Sequence, residues 1–77
     1  MKYINGEIWN NNLIQLESED GNIHWYTTTN RAGKAIGRQV YNIEKSINDG
    51  TGILGEDGFL YYATLVDGSE VKYKDIN

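Results

Sequence analysis

The sequence predicts an α+β fold: a five-stranded antiparallel sheet, in the order βββαββ, with one helix packed on one face. Two observations carry this. Short alternating apolar and polar stretches, separated by Asn and Asp-Gly turn signals, stand on both sides of the chain's middle. Between them the period changes, with Ala32, Ile36, Val40, Ile43 and Ile47 recurring at helical spacing. The 77 residues make a single domain, 1–77. A chain this short buries only about 60–65% of its unfolded surface, so its core has little to spare.

The elements follow in order. Residues 2–9, KYINGEIW, alternate Ile4 and Ile8 against Tyr3, Glu7 and Trp9, the period of a half-buried strand. Asn10 and Asn11 suit a turn. A second strand over 13–18 places Ile14 and Leu16 on one face, and the Asp20-Gly21 pair marks a hairpin. The third strand, 23–28, sets Ile23, Trp25 and Thr27 against His24, Tyr26 and Thr28. The helix spans 31–48, with Thr29 or Asn30 as cap and the Gly of NDG, residues 48–50, as stop. A glycine-rich connection leads to a fourth strand over 59–66. VDGS then reads as a hairpin turn into a fifth strand over 70–74.

One helix cannot cover both faces of such a sheet. The uncovered face is expected to show some of Tyr3, Glu7, Trp9, His24, Tyr26 and Tyr62, and Tyr3, Trp9, Tyr26 and Tyr62 are the candidate face for a homo-dimer.

Charge is unevenly placed. The net charge is −4, which argues against a general nucleic-acid coat. From Asn30 to Asn48, however, Arg31, Lys34, Arg38 and Lys45 stand against Glu44 alone, a local charge of +3, while the rest of the chain carries −7. On one continuous helix these four cations fall within a sector of about 60° opposite the apolar stripe, with Tyr41 beside them. A basic row with an interleaved aromatic suits a phosphate backbone and a stacked base. It suits an acidic protein surface equally well, and a solvated helix face has the same composition.

Local helix rules are broken here. Arg31 and Lys34 sit at the positive end of the helix dipole. Gly33 and Gly37 each cost about 1 kcal/mol relative to alanine in a helix interior. Such violations concentrate at functional or strained positions. Alternatively, the two glycines let the helix approach a bulky Trp or Tyr of the sheet.

Several motifs are excluded by context. The stretch from Thr27 to Ala35 lacks the glycine and hydroxyl that a phosphate loop needs at Thr28 and Ala35. A simpler anion site at the helix start, using Thr28, Thr29, Arg31 and Lys34, stays open. GTGILG, residues 50–55, matches a dinucleotide fingerprint but follows a helix and precedes a strand, the wrong context. It reads instead as a mobile loop in which Ile53 and Leu54 either fold onto the core or form an apolar tip. Glu17, Glu19, Asp20 and Asn22 match no calcium loop and read as a solubilising turn.

With no Cys and one histidine, His24, the chain offers no disulfide framework, no zinc set and no triad spacing. No metal, cofactor or catalytic residue is expected, and the chain is read as not an enzyme. The N-terminal stretch has no leader-like apolar run and the sequence no membrane-length one, so a soluble cytoplasmic protein is expected. Nine Asn and nine Ile against three Ala suggest an AT-rich genome, a phage or mobile element.

The leading expectation is a non-enzymatic, inhibitory protein-binding module acting on a host protein through Arg31, Lys34, Arg38, Tyr41 and Lys45. The alternative is a nucleic-acid-binding protein using the same basic face. A third reading is a small-anion or nucleotide-ligand binder at the helix start.

Overall fold

A computed structural model describes residues 11–77. The elements run β1 (Asn12–Ser18), β2 (Ile23–Tyr26), α1 (Thr29–Ile36), α2 (Val40–Asp49), β3 (Ile53–Leu54) and β4 (Leu60–Asp67), followed by 3-10 turns at Gly68–Glu70 and Tyr73–Asp75. The described residues form a four-stranded antiparallel sheet in the order β2-β1-β4-β3, with two helices. This corrects the expected five strands and single helix. The strand expected over residues 2–9 lies outside the described residues.

The central pair is β1 and β4, in register from Asn12 opposite Asp67 to Ser18 opposite Tyr61. On β1, Ile14 and Leu16 face the helices, and Ala63 of β4 lies directly opposite Leu16. α1 packs over β1 and β2, while α2 packs over β4 and β3. The core joins Ile14, Leu16, Ile53 and Ala63 of the sheet to Ala32 and Ile36 of α1 and Ile43 of α2. Ile47, Tyr26 and Tyr61 close its rim. The apolar stripe read from the sequence therefore does face inward, but from two helices.

The break has a local cause. Gly37 adopts φ +71, the left-handed region that glycine enters without a Cβ penalty. Its N–H reaches the carbonyl of Lys34, and the N–H of Arg38 donates to the carbonyl of Gly33 at 2.8 Å. That pair of bonds is the Schellman closure of a helix end. Gly33 admits the returning chain, because a Cβ there would collide with the carbonyl oxygen of Arg38. A Cβ on Gly37 would overlap the Glu56 side chain. The two glycines thus seat the inter-helix turn against itself and against Glu56, not against a Trp or Tyr of the sheet.

At the other end of α1, Thr28 is the cap: its hydroxyl accepts the Arg31 N–H at 3.1 Å. Thr29 and Asn30 already belong to the helix. Strand β2 accordingly stops at Tyr26, two residues earlier than expected.

The glycine-rich connection holds a strand that the sequence did not reveal. Ile53 and Leu54 pair with Tyr61 and Leu60, and Gly55 donates to the Phe59 carbonyl to close the hairpin. The Ile53–Leu54 pair divides: Ile53 is buried in the core, whereas Leu54 is 57% exposed.

Beyond β4 the expected fifth strand is replaced by the two 3-10 turns. The Asp67 carboxylate accepts from the N–H and hydroxyl of Ser69, at 3.0 and 2.8 Å, and winds the chain into the first of them. The tail then crosses to the far side of β2, where Ile76 bridges Trp25 in parallel and the Asn77 N–H donates to the Trp25 carbonyl at 2.7 Å.

Since β3 is two residues long, the outer side of β4 has no strand partner beyond Ile53 among the described residues. The buried hydroxyl of Ser46, on α2, accepts the Ala63 N–H there at 3.0 Å. This bond ties α2 to the sheet where a strand hydrogen bond would otherwise stand. Ser46→Ala is expected to cost about 1–2 kcal/mol, because the amide loses its acceptor in a buried place. Urea titration checks the loss, and faster hydrogen exchange at Ala63 locates it.

Candidate functional site

The basic row is divided by the helix break. Arg31 and Lys34 lie one turn apart on α1, Tyr41 and Lys45 one turn apart on α2, and Arg38 stands between them in the turn 37–39. All five are exposed, Tyr41 at 65%. The single 60° sector inferred from one continuous helix is therefore replaced by two short rows joined at Arg38.

The cations differ in what holds them. Lys45 pairs with Asp49 at 3.2 Å, with both side chains close to half exposed. The Thr51 hydroxyl and N–H, at 2.6 and 2.9 Å, hold the Asp49 carboxyl down at about 2, and Lys45 adds to that. Much of the Lys45 charge is thus answered within the molecule. Arg38 donates from Nε to the Leu54 carbonyl at 2.6 Å. Among the described residues Arg31 and Lys34 have neither an ion pair nor a side-chain hydrogen bond. No carboxylate lies in the first turn of either helix. The exposed strip from Arg31 through Arg38 is consequently cationic despite the protein's net charge of −4.

At the start of α2, Gln39 occupies the cap position but makes no side-chain cap bond, so its amide is exposed with its donors and acceptor unspent on the helix. Gln39 and Ser46 carried no expectation from the sequence, Leu54 was expected only as core or apolar tip, and Glu56 only as a solubilising carboxylate. Only Gln39 had a visible signal, as an uncharged polar residue two positions after the helix-ending Gly37; the others matter through distant partners.

The anion site expected at Thr28, Thr29, Arg31 and Lys34 is a capped helix start. Thr28 spends its acceptor on the Arg31 N–H, and Arg31 and Lys34 point to solvent.

Of the aromatic face expected for a homo-dimer, the two described members, Tyr26 and Tyr62, stand on opposite faces of the sheet. Tyr3 and Trp9 lie outside the described residues. Tyr26 stands opposite Ile14 and packs on the helix-side core, where burial raises its phenol. Tyr62 stands opposite Glu17 on the other face, 44% exposed. His24, opposite Leu16, is likewise on the helix side and exposed, not on the outer face as expected. The face away from the helices instead carries Ile23, Trp25, Leu54, Leu60 and Tyr62, with the Trp25 indole N–H donating to Gln15 Oε1 at 3.0 Å.

The acidic hairpin is structural. Asp20 accepts from the Ser18 hydroxyl and from Asn22, bonds that lower its carboxyl below the usual range, and Glu19 accepts the Leu60 N–H at 2.9 Å. The Tyr61 phenol donates to Asp57, which pushes the phenol up to about 12. No group of three metal-ligating side chains occurs among the described residues, and no helix among them is long and apolar enough to cross a membrane. Comparison of the chain with protein-family models, with curated proteins and with solved structures found no match.

Proposed function

We propose that the chain is a nucleic-acid-binding module whose contact surface is α1, the turn 37–39 and α2. The observation that carries this is the division of the expected helix into two short helices joined by a three-residue turn containing glycine, with cations on the exposed side. Two helices so joined can lay one across a phosphate backbone and present the start of the other to base edges. Arg31, Lys34 and Arg38 supply the backbone contacts. Gln39, Tyr41 and Lys45 stand at the start and on the exposed face of α2, and amide and ammonium groups pair with purine edges in a major groove. Carboxylates do flank this surface, Glu56 packed beside Gly37 and Asp49 paired with Lys45; Arg31 and Lys34 stand clear of both pairings.

The test is binding to a fluorescein-labelled, mixed-sequence DNA duplex, followed by anisotropy as salt rises. Three phosphate contacts give a slope of log K against log salt of roughly −2.7. The double variant Arg31→Glu, Lys34→Glu is expected to lose binding with its thermal melt unchanged, since both side chains are exposed and unpaired among the described residues. An unaltered affinity in that variant, or no binding by the native chain at low salt, sinks the reading.

A protein-binding role has a different support, the exposed Ile23, Leu54 and Tyr62 on the face away from the helices. It predicts that the Arg31/Lys34 double variant keeps its partner, whereas Tyr62→Asp loses it.

A further inference from the structure

Arg31 and Lys34 are long side chains projecting into water, and any contact they make must first order them. Arg38 differs. Its backbone is held on both sides: the N–H donates to the Gly33 carbonyl, and the Arg38 carbonyl oxygen lies where a Cβ on Gly33 would be. Its side chain is held as well, because Nε donates to the Leu54 carbonyl of β3 at 2.6 Å. The turn is braced again by the Glu56 N–H, which donates to the Ile36 carbonyl at 2.9 Å. A guanidinium tethered through Nε keeps its two Nη groups as an outward fork, and among the described residues no acceptor takes them. That fork matches two oxygens of a phosphate.

We infer that Arg38 is the pre-oriented phosphodiester contact of this surface, aimed by the Leu54 carbonyl of the β3–β4 hairpin. The inference rests on the nucleic-acid reading above and adds to it a division of labour: Arg31 and Lys34 contribute charge, while Arg38 contributes geometry. It also gives the hairpin a part in binding that no charge on it suggests. Lysine at 38 keeps the charge but loses both the Nε tether and the fork, so charge and geometry separate in one substitution.

Two measurements decide it. In the free protein, NMR of the two arginine Nε–H groups should show that of Arg38 exchanging with water more slowly than that of Arg31; equal exchange overturns the inference without any appeal to nucleic acid. In the duplex titration, Arg38→Lys is expected to bind about tenfold more weakly with an unchanged salt slope, while Arg31→Lys changes affinity by less than about twofold. A thermal melt confirms that Arg38→Lys is folded. If it binds like the native chain, or Arg31→Lys loses as much, Arg38 is an ordinary cation and the inference fails while the nucleic-acid reading stands. Absence of binding by the native chain at low salt removes the reading and the inference together.

Discussion

Ile43→Ala is expected to remove about 2–5 kcal/mol of stability, the range for truncating a fully enclosed branched side chain and leaving a cavity behind. Ile43 has no exposed surface and joins α2 to the sheet within the core cluster. A domain of 77 residues is stable by only about 4–12 kcal/mol in all, on the usual scale per residue. The substitution therefore takes a large share, and the melting temperature should fall by roughly 10–30 °C. Ile43→Val, which deletes one methyl, should cost about 0.5–1.5 kcal/mol and calibrate the site. Urea titration followed by circular dichroism reads both. A loss below that of the valine variant would mean that α2 is not seated on the sheet through this residue.

Gly33→Ala is expected to destabilise the protein by about 1–3 kcal/mol, the cost of forcing extra volume into a filled place. This sign is opposite to the ordinary one, since Gly to Ala inside a helix stabilises by about 1 kcal/mol. The reversal comes from the Arg38 carbonyl, which occupies the space of the added methyl. Relief requires the turn to open, and opening it carries Arg38 away from the Leu54 carbonyl. The variant should therefore lose affinity for the duplex as well as stability. Ala35→Gly, at an exposed position of the same helix, is the control; it should cost about 1 kcal/mol through propensity alone and leave binding unchanged. A rise in melting temperature for Gly33→Ala refutes the seating of the turn.

How much was legible in advance varies by element. β1, β2 and β4 were readable as strands, and alternation put Ile14 and Leu16 of β1 on the core face, but β2 was read with its faces inverted, since Tyr26 and His24 stand on the helix side. The inward stripe Ala32, Ile36, Ile43 and Ile47 was readable for the same reason. The helix break was not, although Gly37 follows Lys34 and Ile36 as a C-terminal signal should. After the turn, α2 resumes in a phase that returns Ile43 and Ile47 to the same core, and of the expected stripe only Val40, half-buried at the start of α2, is left outside the cluster. β3 is too short for any period to show, and the expected fifth strand gave way to a 3-10 turn where Asp67 accepts from Ser69, the tail rejoining the sheet only at Trp25.

The candidate site divides in the same way. Arg31, Lys34, Arg38, Tyr41 and Lys45 were visible as charges and an aromatic on one segment. Their inequality was not, because Lys45 is answered by Asp49 and Arg38 is tethered by a carbonyl sixteen residues away.

Which residues must leave water and which must stay in it follows from hydrophobic periodicity and charge placement, local properties of the chain. Where the backbone turns back on itself, and which polar groups then meet, is set by the folded molecule. Those outcomes depend on space that distant residues take or leave: the carbonyl of Arg38 over Gly33, Glu56 against Gly37, and the hydroxyl of Ser46 at the gap beside β4.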